Sequence, residues 1–119
     1  MAMYTSLTGL NAAQTDLSTT SNNIANVGTV GFKRSRAEFG DIISSSALQS
    51  AGRVAGSGTA LKTIKQQFTQ GAIQSSLNVM DLAMMGEGFF MVKSTSGTTD
   101  MQFTRNGSFR VNNERFVEE

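Results

Sequence analysis

The sequence predicts an α+β protein: a long N-terminal helix, an extended Ser/Gly-rich connector and a small antiparallel β domain. Three observations lead there. Apolar residues near the start recur at helical spacing, the charge density rises abruptly at Lys33, and from Ala60 onward the pattern alternates between glycine turns. The 119 residues suffice for one modest domain, or for one domain with an extension. The expected division is 1–27 helix, 28–68 connector and 69–119 the start of a β domain.

The helix comes first. Met3, Leu7, Leu10, Leu17 and Ile24 are separated by steps of three, four or seven, with Gln14 and Ser21 filling the gaps. This is a period near 3.5, the mark of a helix packed along a seam. Thr5 or Ser6 is placed to cap its start. Gly28, just after Val27, suits the left-handed residue that ends a helix. The expected span is therefore Thr5 to Ala25. Its remaining faces carry Thr, Ser, Asn, Gln, Ala and Gly9, with Asp16 the single charge before Lys33. An ordinary surface helix shows Lys and Glu there. Ser, Thr and Asn also lower intrinsic propensity. Such a helix is expected to gain order by packing on other helices, from other copies of the chain.

The connector opens with a sudden cluster of charge, Lys33, Arg34, Arg36, Glu38 and Asp41. Beyond it, "GDIISSSALQSAGRVAGSGT" is rich in Ser, Gly and Ala and reads as extended or flexible. The β region follows. Ile64, Gln66 and Phe68 alternate, as do Ile73, Ser75 and Leu77, with Gly71 as a turn between them. "DLAMM" and "GFFMVKS" read as two strands joined by Gly86-Glu87-Gly88. "QFTRNGSFRV" places Asn106-Gly107, a strong hairpin signal, between Phe103 and Phe109. The closing "NNERFVEE" stops just after this pattern, and the chain is expected to be incomplete.

Composition argues against several function classes. Neither His nor Cys is present, which removes the commonest general base, the commonest metal ligand and thiolate chemistry together. No carboxylate pair is placed by pattern, so no catalytic group, cofactor or metal is expected. Net charge is +1, which gives no bulk electrostatic case for nucleic acid or an anionic membrane. No apolar run is long enough to span a bilayer, and the helix lacks the Lys and Arg of a membrane-surface helix. "MAMYTSLTGL" has neither the basic nor the apolar region of a secretory signal. "GSGTALK" lacks the spacing of a phosphate loop and reads as a flexible loop. "KRSR" reads as a solvated turn or an intersubunit charge pair rather than a phosphate contact. Met80, Met84, Met85 and Met91 are expected to fill a core, and Phe89-Phe90 to begin a buried strand beside Gly88.

Asn22, Asn23 and Asn26 leave two readings open. They fray into a turn at the helix C-terminus, or their amides make uncharged bonds at a crowded helix contact. Asn22 and Asn26 share one face. A generic coiled-coil adaptor would account for the seam but not for Gln14 and Ser21 within it.

Three segments resemble a known family. "LTGLNAAQTDLSTTSNNIANVGTVGFKRSRAEFGD", "QGAIQSSLNVMDLAMMGEGFFMVK" and "FTRNGSFRV" are similar, in family order, to the N-terminal signature, the central segment and the hairpin of bacterial flagellar rod and hook proteins. Met84 replaces the aliphatic residue usual there. The resemblance covers nearly the whole chain and implies a structural subunit, not an enzyme. It implies a homo-oligomer stacked helically into a hollow tube, with the uncharged helix in the inner layer and the β domains outside.

On this reading Leu7, Leu10, Gln14, Leu17, Ser21, Asn22, Asn23, Ile24 and Asn26 form the inner subunit interface. Gly28, Gly31, Phe32, Lys33, Arg34 and Arg36 form the connector turn and its charge pairs. Asp81, Leu82, Gly86, Gly88, Phe89, Phe90, Asn106 and Gly107 form the β-domain motif. The implied partners are rod, junction and cap proteins and the type III export apparatus, which takes subunits without a cleaved signal peptide. The resemblance favours a hook subunit acting as a bending universal joint outside the cell, with a stiff periplasm-spanning rod as the alternative. The partner C-terminal helix and large outer domain of the family are not in this sequence.

Overall fold

The computed structural model describes residues 2–43, 56–94 and 100–119. They form one helix, α1 (Ala2–Ala25), followed by β1 (Ser35–Asp41), β2 (Thr59–Gln66), β3 (Phe90–Lys93), β4 (Met101–Thr104), β5 (Arg110–Val111) and β6 (Val117–Glu118). The strands pair in chain order as β1-β2, β3-β4 and β5-β6, all antiparallel. This is the α+β arrangement the sequence predicts. The chain divides into two compact units, Met1–Ala25 with Arg34–Gln67, and Asn26–Lys33 with Phe68–Glu119.

In the first unit, α1 begins before Thr5, so neither Thr5 nor Ser6 is its cap. The Ser6 hydroxyl donates instead to the Ala2 carbonyl at 2.9 Å. Thr15, Thr19 and Ser21 do the same to Asn11, Thr15 and Leu17, each four residues back. These hydroxyls are thus satisfied within the helix itself. The β1-β2 hairpin packs on this helix. Its register runs from Ser35↔Gln66 to Asp41↔Thr59, with a shift between Glu38 and Phe39. Along β1, Ser35, Ala37, Glu38 and Gly40 are the covered residues. The register skips Lys62 of β2, an extra residue of the kind that makes a β-bulge. Strands therefore occupy both ends of the segment read as a connector. The Ser/Gly/Ala-rich stretch between them lies at 44–55, outside the described residues.

In the second unit, Phe90↔Thr104 through Lys93↔Met101 form one ribbon, and Arg110↔Glu118 with Val111↔Val117 form another. Phe109 is buried, and its ring meets Phe90 edge to face at 5.5 Å. Four sequence expectations are corrected. Ile73–Leu77 is not a strand, and of "DLAMM" only Asp81 makes a bridge, to Ser108. Asn106-Gly107 does not join Phe103 to Phe109 as a hairpin, because Phe103 is paired with Met91. Asn106 Oδ1 instead accepts the Ser108 N–H at 3.1 Å, a side-chain turn, and the Gly107 carbonyl accepts the Leu82 N–H at 2.8 Å. Met85 and Met91 are exposed rather than core.

Candidate assembly interface

The helix carries two seams on opposite sides. Thr8, Ala12, Thr15, Thr19 and Asn23 are its covered residues, and Thr19 is the most buried. Their steps are four or three, the same period as the apolar seam. At about 100° per residue, they lie about half a turn away from it. The hairpin is tied near both ends of α1. The Thr8 hydroxyl accepts the Thr59 N–H at 3.3 Å, and the Asn23 amide bonds the Ser35 backbone. The fit is dimensional. From Thr8 to Asn23 the helix rises roughly 22 Å, and β1 spans roughly the same at its rise per residue.

The consequence is that small residues, which let a backbone approach closely, meet the chain's own hairpin, while the larger apolar residues are left outward. Leu7, Leu10, Leu17 and Ile24 are 54%, 68%, 68% and 67% exposed. Gln14, Ser21 and Asn22 are exposed with them. A contiguous apolar face on a folded chain marks an interaction surface. Asn23 turns the other way, and Asn26 lies in the turn beyond the helix. Asn23 grips Ser35, and Asn26 accepts the Thr29 hydroxyl at 3.2 Å while its carbonyl accepts the Thr29 N–H at 3.0 Å.

The turn after the helix belongs to the second unit. Its left-handed residue is Gly31, with φ 76°, rather than Gly28. Gly28 sits within the hydrogen-bonded Asn26–Thr29 turn, which reverses the chain without a positive φ. A Cβ on Gly31 would lie 2.6 Å from both the Arg105 carbonyl carbon and the Asn106 nitrogen. Only glycine allows two backbones this close at that φ. Phe32 is half-buried, and the Lys33 ammonium donates to the Thr69 carbonyl at 2.8 Å. Arg34 and Arg36 are exposed.

Around the β motif the organising side chain is Arg105, which the sequence patterns did not single out. Its guanidinium donates to the Gly88 carbonyl at 2.7 Å, the Gly86 carbonyl at 2.8 Å and Gln70 Oε1 at 3.1 Å. It lies 6.0 Å from the Phe89 ring centre, and that ring in turn packs edge-on against Phe68 at 5.8 Å. Asp81 Oδ1 accepts from Asn78 at 2.9 Å, and Leu82 is pinned by Gly107. Phe90 opens β3, one residue after the exposed Phe89. Among the described residues no cluster of three acidic side chains could hold a metal, and no helix is long and apolar enough to cross a membrane. The geometry offers surfaces and clasps.

Comparison with known proteins agrees with that character. Residues 3–33 match the family described as "Flagella basal body rod protein". Residues 83–119 match the "Flagellar hook protein FlgE/F/G D1 domain". The chain is similar to the flagellar basal-body rod protein FlgG of Borreliella burgdorferi, at 34% identity over 96% of this chain and 46% of that protein. It is similar to the flagellar hook protein FlgE of the same organism, at 36% identity over 98% of this chain and 28% of that protein. The hook protein FlgE of Brucella abortus is 40% identical over 90% of this chain and 26% of its own length. The chain thus spans about half the length of its rod relatives and about a quarter of its hook relatives. Two family matches in order along one chain, one on the helix with its turn and one on the β motif, are joined by relatives that align across nearly all of it, and the chain belongs to the flagellar rod and hook family of axial proteins.

Proposed function

We propose that this chain is part of a structural subunit of the flagellar hook, which self-assembles helically into a hollow, flexible tube and acts as a universal joint passing motor torque to the filament. The observation that carries the reading is the outward apolar seam of α1. Leu7, Leu10, Leu17 and Ile24 stand exposed on a helix with one charge, while its opposite face is already filled by the hairpin. A seam left exposed in this way is a surface for assembly to cover. The hook relatives at 36% and 40% identity support the choice of hook. The inner interface is then Leu7, Leu10, Gln14, Leu17, Ser21 and Ile24. Other axial proteins are its neighbours along the tube, and the type III apparatus exports it to the outside of the cell. The work is mechanical, not catalytic.

A second reading is a rod subunit in the rigid drive shaft. It is favoured by the rod match over the helix and by rod relatives matched across nearly half of their length. Immunogold labelling of isolated flagella with an antibody to residues 60–119 separates the two. Gold on the curved segment beyond the outer membrane supports the hook, and gold confined to the straight shaft beneath it supports the rod. The structural role itself is tested by assembly of the purified chain. Leu10→Lys and Leu17→Lys should abolish sedimenting assemblies while leaving the monomer's melting temperature unchanged. Assembly of both variants at the wild-type concentration would exclude the seam.

A further inference from the structure

We propose that Arg105 is a positioning residue: its guanidinium fixes the 104–107 turn as a seat on which the Gly31 segment docks, so that the turn following the helix is a fixed part of the β unit and not a free hinge. The inference is independent of whether the tube is hook or rod.

The seat is built from main chain. Gly31 lies flat against the Arg105–Asn106 peptide, at a distance that excludes any side chain. Two further bonds hold the segment in shape, Phe32 N–H to the Thr29 carbonyl at 3.3 Å and Lys33 Nζ to the Thr69 carbonyl at 2.8 Å. A seat of this kind works only if the peptide beneath it is stationary. Arg105 makes it so from one side by reaching Gly86, Gly88 and Gln70, with Phe89 under the guanidinium. The Gly107 carbonyl bonded to Leu82 holds it from the other. The planar fork of arginine serves separate acceptors at once, which an ammonium on a flexible stem does not do in the same geometry. Arg105 is also unusual in what it pairs with. Its partners are carbonyl and amide oxygens rather than a carboxylate, so its contribution is one of direction more than charge.

The test is limited trypsin digestion of the full chain, followed by mass spectrometry. The variants are Arg105→Gln, Arg105→Lys, Gly31→Ala and the double variant Arg105→Gln/Gly31→Ala. Cleavage after Lys33 reports release of the segment, and cleavage after Lys62 and Lys65 reports the β1-β2 hairpin. Each single variant should speed the first by about tenfold, as expected for local opening, and leave the second unchanged. Arg105→Lys should not rescue. The double variant should cleave no faster than the faster single, because a segment already displaced from its seat gains nothing from loss of the residue beneath it. A double variant whose rate is the product of the two single effects would overturn the proposal, as would equal acceleration at all sites or wild-type protection in Arg105→Gln.

Discussion

Asn23 and Ser35 are joined by a reciprocal pair of hydrogen bonds. The Asn23 Nδ2 donates to the Ser35 carbonyl at 2.7 Å, and its Oδ1 accepts the Ser35 N–H at 2.8 Å. One side chain near the end of α1 thus satisfies both backbone groups of Ser35, the first residue of β1, whose strand partner is Gln66, and both ends of the link are partly buried. The bond fixes where the hairpin begins its return along the helix.

Removing that amide should be costly. Asn23→Ala leaves a partly buried N–H and carbonyl without partners, a loss of about 1–3 kcal/mol. Asn23→Asp keeps the acceptor, loses the donor and sets a carboxylate oxygen against the Ser35 carbonyl, so it should be at least as damaging. Thermal unfolding by circular dichroism is the measurement, at roughly 4–8 °C per kcal/mol for a unit of this size. An aspartate variant with the wild-type melting temperature would show that only the acceptor matters.

The two seams of α1 predict opposite responses to similar changes. Thr19 is buried against the hairpin, and its hydroxyl is spent on the Thr15 carbonyl at 2.9 Å. Thr19→Leu overfills a site made for a small residue and should cost about 1–3 kcal/mol. Leu17→Ser, on the exposed face, should alter monomer stability by no more than about 0.5 kcal/mol yet weaken assembly. Chemical denaturation of the monomer and sedimentation of the assembled form, run on both variants, separate the effects. A Leu17→Ser monomer destabilised as much as Thr19→Leu would mean that the seam is already covered within one chain.

Much of this was legible in the sequence. The leucine spacing located the helix and its apolar face, because periodicity survives whatever that face meets. The hydroxyl-rich face shows in the sequence only as a lack of charge, although Thr8, Ala12, Thr15 and Thr19 repeat at the same period. Small polar residues give little contrast in hydropathy, so the second seam was silent. The β unit was harder. Asn106-Gly107 has the composition of a tight hairpin, but tertiary pairing of Phe103 with Met91 and of Leu82 with Gly107 took precedence over local turn chemistry. Arg105 had no pattern to announce it. Two of its acceptors are main-chain carbonyls, and a carbonyl belongs to every residue type.

The second unit has a thin core, and Phe109 is its single buried apolar side chain among the described residues. Phe109→Ala removes the edge contact with Phe90 as well as the buried ring, a loss of about 3–5 kcal/mol. Because the helix packs on its own hairpin, unfolding should be confined to the β unit. Amide exchange should rise at Met91 and Val92 and stay slow at Ala37. Equal loss of protection in both places would mean that the two units unfold together.

Arg115 is the one non-glycine residue among those described with a positive φ, 66°, in the loop between β5 and β6. The loop holds it there by side-chain and backbone bonds. Asn112 Oδ1 accepts the N–H groups of Glu114 and Phe116, and the Asn112 carbonyl accepts that of Arg115 at 3.0 Å. A left-handed residue with a Cβ costs about 1–2 kcal/mol, and glycine returns part of that gain as greater freedom when unfolded, about 0.5–1 kcal/mol. Arg115→Gly should therefore stabilise the β unit by roughly 0.5–1 kcal/mol. The exposed Arg110–Glu118 ion pair at 2.9 Å adds little to hold the loop closed, so the backbone term should dominate. Arg115→Val, branched at Cβ, should move the melting temperature the other way. If glycine and valine shift it in the same direction, the loop does not depend on this residue's left-handed geometry.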